Sequence, residues 1–177
     1  MNWTERIRRP EIWMEFMGVL LLMLWMTVLP HAHLYRLPYS HQLLMHTDEG
    51  KLKFLNNNKN GQKLLIGNQN FTCALDTIIR NTCHYRTSNE KIERLPVDLA
   101  GKNAVVQWTE VEAFPWQKLR VVIDLAVDGK TYRRAADFDR DLAASKKRAM
   151  QSDLFSFLLF SVYVWFRLTF RPKLYRQ

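Results

Sequence analysis

Four histidines, His31, His33, His41 and His46, fall within sixteen residues and lie close to Asp48 and Glu49. Imidazoles grouped in this way can ligate a divalent metal. On an extended chain the two rings of "HAH" would point to the same side. A third ligand from His41, His46 or His84 would then complete a zinc-type site, the one cofactor that the sequence suggests. The competing reading is four surface histidines and no cofactor. A second cluster, Asp137, Asp139 and Asp141, looks only loosely like the start of a calcium loop, since the glycine and terminal glutamate of that motif are missing. Its position at the start of a helical pattern offers a simpler reason, because carboxylates stabilise the positive end of the helix dipole.

Catalytic signatures are absent from the sequence. There is no nucleophile elbow, HExxH helix, phosphate loop or dinucleotide fingerprint. Asp76, Glu110, Glu112 and Asp124 are carboxylates that could pair as acid and base, but a solvated strand face is their default reading. Six glycines leave little for ligand-cradling loops. The balance favours a non-catalytic role. Zinc-finger, helix-turn-helix and RNA-binding signatures are missing too, so no nucleic-acid partner is expected despite a net charge of +9.

Cys73 and Cys83 are the only cysteines. In an oxidising compartment the pair would form a disulfide, worth about 2–3 kcal/mol by the loop-entropy model. Two further residues carry charge into apolar surroundings. Glu15 interrupts "IWMEFMGVLLLMLWMTVLP", and Arg167 interrupts the apolar run 154–170. Suppose that both runs cross a bilayer antiparallel to each other. Glu15 then precedes Leu29 by almost the same stretch of helix as that by which Arg167 follows Leu154. With a constant rise per residue the two reach the same depth and can pair. Gly18, one turn from Glu15, would allow close helix approach, with Ser156, Tyr163 and Arg167 on the facing side. The segment "EAFPWQK" exposes Phe114 and Trp116 on either side of Pro115, which suits contact with a partner or a headgroup layer.

The elements that must position these residues follow from hydropathy patterning. The expected fold is an α+β membrane protein, with two transmembrane helices flanking a small antiparallel β-rich extracytoplasmic domain. Residues 1–11 are a cytoplasmic basic head, 12–30 the first span, 31–151 the outward domain, 152–170 the second span and 171–177 a basic tail. Both apolar runs fall slightly short of the ~20 residues that a bilayer core takes. Arg6, Arg8, Arg9, Arg171, Lys173 and Arg176 put both termini in the cytoplasm, while Lys146, Lys147 and Arg148 oppose that bias. A poor cleavage signal around Ala32 argues for an anchor rather than a removed leader. So compact a hairpin protein fits a bacterial inner membrane, with 31–151 in the periplasm.

Within the loop, "KLKFL" and "QKLLIG" flank Asn60-Gly61, a hairpin signal. "NAVVQWTEVEAF" places Ala104, Val106 and Trp108 on one strand face and Val105 and Val111 on the other. Leu119–Val127 and Lys130–Ala135 flank the turn Asp128-Gly129, with Val121, Ile123, Leu125 and Val127 expected on one face. The stretch between the cysteines reads equally as short helix or strand. "DFDRDLAASKKRAM" reads as a helix, with a break expected at Gln151-Ser152 where Ser152 would cap the next helix. The function expected from these features is that of an accessory, regulatory or assembly protein. It would bind a larger membrane partner, or a second copy, through its outward domain and spans. A membrane-anchored envelope enzyme and a metal-sensing domain are the alternatives.

Overall fold

The computed structural model describes residues 10–57, 61–73, 75, 83–87, 91–113 and 116–170. The basic head (1–9), the basic tail (171–177), Phe114, Pro115, Asp76 and most of the segment between the cysteines fall outside that set. The chain divides into two units, one of residues 1–30 and 148–177, the other of residues 31–147.

Two long helices carry the apolar runs. The first comprises α1 (Pro10–Met23), a π turn (Leu24–Val28) and α2 (Leu29–Arg36). Pro10 opens it, where its missing N–H costs nothing. The expected end at Pro30 is not observed. Pro30 cannot donate to a preceding carbonyl, and the chain widens into the π turn just before it rather than stopping. There the Leu29 N–H reaches Leu24 O, and the Thr27 hydroxyl bonds Met23 O at 2.7 Å. The last helix, α3, runs unbroken from Ala135 to Phe170. The expected break at Gln151-Ser152 is absent, and Ser152 is an internal residue whose carbonyl accepts from the Ser156 hydroxyl at 3.0 Å. Both helices are long and apolar enough to cross a membrane. Only 6% and 11% of their most apolar windows are buried, which argues against two soluble core helices.

The second unit is built on a six-stranded antiparallel sheet in the order β3-β2-β1-β6-β7-β8. Its strands are β1 (His46–Asn57), β2 (Gly61–Ile66), β3 (Gln69–Phe71), β6 (Asn103–Ala113), β7 (Gln117–Val127) and β8 (Lys130–Arg133). A separate pair, β4 (His84–Arg86) and β5 (Ile92–Arg94), forms a two-stranded sheet. β1 serves two partners: His46–Lys51 pair with β6, and Leu52–Asn57 pair with β2. At this corner Gly50 passes so close to Gly67 that a β-carbon on Gly50 would lie 2.8 Å from the Gly67 nitrogen. Beyond β3 the chain returns to β7. The Thr72 N–H bonds Arg120 O, and the Val122 N–H bonds Thr72 O, both at 2.9 Å. The first edge of the sheet is thereby joined to its penultimate strand.

The β7–β8 hairpin turns at Asp128 (φ 49) and Gly129 (φ 77), two left-handed residues as a two-residue type I′ turn requires. The expected face assignment in β7 is overturned. The register with β6 passes from Asp124 to Val122 and skips Ile123, a bulge that reverses the inward side. Val122 therefore joins Leu125 and Val127 in the main core with Leu52, Leu64, Ile66, Phe71, Ala104 and Val106. β6 also exchanges its buried side. Ala104 and Val106 are buried at one end, Thr109, Val111 and Ala113 at the other, and Val105 is exposed. Val111 and Ala113 belong to the opposite face from Ala104 and Val106.

Candidate functional site

In the first unit, the inward positions of α3 recur at Ala149, Asp153, Ser156, Phe160, Tyr163 and Arg167, spaced alternately by four and three. This is the heptad seam of a helix that packs along a neighbour. The seam brings Arg167 to Glu15. Arg167 donates Nε–H to Glu15 Oε1 at 2.8 Å and Nη2–H to Oε2 at 2.7 Å, a side-on bidentate pair. Tyr163 donates its hydroxyl to the same Oε1 at 2.6 Å. Phe16 packs edge-on against Tyr163, with centroids 6.1 Å apart, and edge-on against Trp13 at 6.3 Å. The side chains of Arg167 and Glu15 are 18% and 33% exposed. Gly18 does not take part: it lies on the outer side with no atom within 4 Å of a built β-carbon. Val19 and Leu20 face inward in its place. Tyr163 had no assigned partner in the sequence, and buried Asp153, 8% exposed, was not singled out at all. Counting back two heptads from Arg167 would have found it.

In the second unit, Trp116 closes the β6–β7 hairpin, whose last pair is Ala113 with Gln117. It is 83% exposed and adopts φ 56, a left-handed conformation that a bulky L-residue rarely takes. Three-residue hairpin loops place a glycine at such a position. Phe114, the other aromatic of this turn, lies outside the described residues.

Cys73 and Cys83 are joined by a disulfide with Cα atoms 4.9 Å apart, and both are buried in the main core. His33 donates Nε2–H to Leu75 O at 2.8 Å, fastening α2 to the residues that follow Cys73.

The three aspartates each hold a different element to α3. Asp137 accepts from the Arg134 N–H at 3.2 Å and lies 3.5 Å from Arg86 Nε of β4. Asp139 accepts from both the N–H and the hydroxyl of Ser40, each at 2.7 Å, which fixes the 3₁₀ turn Ser40–Gln42. Asp141 lies 2.9 Å from Nη2 of Arg133, whose side chain is 3% exposed and whose Nε–H reaches Val122 O. Their oxygens are thus spent on tethering rather than gathered on one point.

The histidines do not lie on an extended chain. His31 and His33 sit in helix α2, where residues two apart point about 200° from each other. His41 stacks on Tyr39 with rings 6.5 Å apart, and His46 lies 4.7 Å from the Trp108 ring. Among the described residues, no three His, Cys, Asp or Glu side chains gather in a metal-binding group.

The carboxylates weighed for acid–base work are dispersed. Glu110 accepts from Lys118 Nζ at 2.8 Å, and that bond holds its carboxyl below the usual glutamate range. Burial pushes Asp124 up, partly offset by Arg134. Glu112 is exposed, opposite Lys118 in the sheet register. Comparison with protein-family models, curated proteins and solved structures finds no match for this chain.

Proposed function

We propose that this chain is a non-catalytic, two-span membrane protein that acts as an accessory or assembly factor. Residues 31–151 would dock a larger membrane partner on the outer side of a bacterial inner membrane, with both termini in the cytoplasm. The observation that carries this reading is Trp116. A large indole held at 83% exposure in a left-handed conformation costs stability on both counts, and such outliers persist where a contact uses them. The Glu15–Arg167–Tyr163 cluster supports the spans as a fixed helix pair, since charged residues in apolar helices face partners rather than lipid. The disulfide suits an oxidising compartment.

The test is recovery of the tagged protein in mild detergent, with mass spectrometry of what co-purifies. Wild type should bring down one membrane protein in stoichiometric amount. Trp116→Gly suits the left-handed position and should keep the hairpin yet lose that partner. Unchanged recovery of the partner with Trp116→Gly would remove the hairpin tip from the interface, and absence of any partner for wild type would overturn the accessory reading.

A further inference from the structure

We infer that the outer face of β1, β2 and β3 is a docking surface for an extended, acidic segment of a protein, one that carries an aliphatic residue beside its carboxylates. The surface lies within the sheet unit and needs neither the spans nor the Trp116 contact.

Alternation along these strands sorts their residues into two faces. Leu52, Leu64, Ile66 and Phe71 turn into the core, with Phe54 packed against it. Their neighbours turn outward: Lys51, Lys53 and Leu55 from β1, Lys63 and Leu65 from β2, and Asn70 from β3. The backbone register sets them beside one another. Lys53 is opposite Leu65, Leu55 is opposite Lys63, and Leu65 is opposite Asn70. Directly opposite side chains in a sheet start about 5 Å apart, and diagonal ones about 7–8 Å. Lys53 and Lys63 are such a diagonal pair, with Leu55 and Leu65 on the other diagonal. Lys51, Lys53 and Asn70 are exposed, Leu55 is 43% exposed, and Lys63 and Leu65 are half-buried.

Charge sets this face apart. Residues 52–57, 61–66 and 69–71 contain no Asp or Glu. The nearest acid along β1, Glu49, precedes the Gly50 corner and is opposite Val105. On the β6–β7 hairpin the cations meet acids across the ladder instead. There Glu110 is opposite Arg120, Glu112 is opposite Lys118, and Lys118 Nζ lies 2.8 Å from Glu110. Among the described residues none of Lys51, Lys53 and Lys63 makes an ion pair. Like charges on one sheet face repel, and an anionic partner relieves that repulsion.

The residues between the lysines identify the anion. Single-stranded nucleic acid is held by stacking its bases on aromatic side chains, and none of the outward residues here is aromatic. A sulfated or phosphate polymer has no aliphatic group to cover Leu55 and Leu65. A second copy of this face would bring like charge to like. A protein segment supplies carboxylates and aliphatic side chains together. Residues of one strand face recur every ~6.4–6.8 Å, and an extended partner keeps that same repeat. Acids two apart in the partner therefore fall over Lys51 and Lys53, and an aliphatic residue two further on falls over Leu55.

The test uses full-length protein in neutral maltoside micelles and a fluorescein-labelled peptide of two Glu-Ser-Glu-Ser-Leu-Ser repeats, with anisotropy as the readout. Wild type should bind it. Raising the salt from about 0.1 M to about 1 M should weaken binding, because the screening length falls from about 10 Å to about 3 Å. Lys53→Gln with Lys63→Gln should weaken it about tenfold, each exposed ion pair contributing about threefold. Lys53→Arg with Lys63→Arg should retain it. Lys91→Gln with Lys130→Gln, exposed cations outside this face, should leave it unchanged. Leu55→Ser should weaken binding of this peptide but not of an analogue with serine in place of leucine. Absence of wild-type binding, or equal loss in the Lys91/Lys130 control, would overturn the surface. Equal binding of a peptide of the same composition with adjacent glutamates, Glu-Glu-Ser-Ser-Leu-Ser, would overturn the extended register. An oligodeoxythymidylate or dextran sulfate bound more tightly than the peptide would overturn the protein assignment in favour of another polyanion.

Discussion

Replacing Glu15 by Gln removes the charge that Arg167 and Tyr163 both address. Three bonds of 2.6, 2.7 and 2.8 Å converge on that carboxylate. An exposed ion pair contributes about 0.2–1 kcal/mol, whereas breaking a buried one costs about 3–5 kcal/mol. Side chains 18% and 33% exposed stand between these limits. Discounting the buried figure by about half gives roughly 2 kcal/mol for either single change, Glu15→Gln or Arg167→Gln. Once one partner is gone, little remains for the second change to remove, so the double variant should lose scarcely more than either single. That leaves a coupling energy of about 2 kcal/mol. Tyr163→Phe removes one of these three bonds and should cost about 0.6 kcal/mol, the usual size of an interhelical hydrogen bond in a bilayer. Equilibrium unfolding in mixed micelles with rising dodecyl sulfate measures each value, with Trp13, Trp25 and Trp165 of the two long helices as fluorescent reporters. The exchanged variant, Glu15→Arg with Arg167→Glu, should recover part of the loss. If the single losses simply add, within about 0.3–0.5 kcal/mol, the pair contributes nothing and the reasoning fails.

Gly50→Ala should destabilise the sheet unit by about 1–3 kcal/mol, because its β-carbon would meet Gly67 backbone atoms at 2.8 and 3.1 Å that cannot move aside; an unshifted thermal midpoint would show that the β1 corner relaxes freely. The Glu110 carboxyl is held below its ordinary value of 4.5 first by the hydrogen bond from Lys118, with burial acting the other way. Its contribution to stability is present above the unfolded carboxyl value and disappears as pH falls through the lower folded one. Lys118, held above 10.5 by Glu110, loses its contribution as pH rises through its folded value. A carbon-detected NMR titration should show the Glu110 midpoint rising in Lys118→Gln, and an unmoved midpoint would discount the pair. Asp139→Ala leaves the Ser40 N–H and hydroxyl without their acceptor and should cost about 1–3 kcal/mol; faster hydrogen exchange at the Ser40 amide is the specific readout, and unchanged protection there would contradict the tether.

Periodicity and turn chemistry made the β7–β8 hairpin legible, because Asp128-Gly129 names its turn and alternation names its strands. The same alternation misled at Ile123. A bulge is invisible to a two-residue period, and Val121, Val122 and Ile123 are apolar whichever side faces in. Residue counts from Leu29 and Leu154 were enough to match Glu15 with Arg167. They could not say which helix faces meet: Gly18, expected inward, lies exposed on α1. The aspartates showed a helix start, yet their three separate partners, Arg86, Ser40 and Arg133, depend on tertiary packing that no local pattern records. His31 and His33 were read as extended because Pro30 looked like a helix end, and the π turn that lets the helix continue has no simple sequence signature.

The pairing of Glu15 with Arg167 spans 152 residues, and that separation has a temporal side. Synthesised at about 5–20 residues per second, the chain takes roughly 8–30 s between making the carboxylate and making its partner. On the membrane reading, the first helix must wait through that interval without its Arg167 contact, while the domain between folds and closes its disulfide. A truncated or stalled chain would never acquire the matching cation.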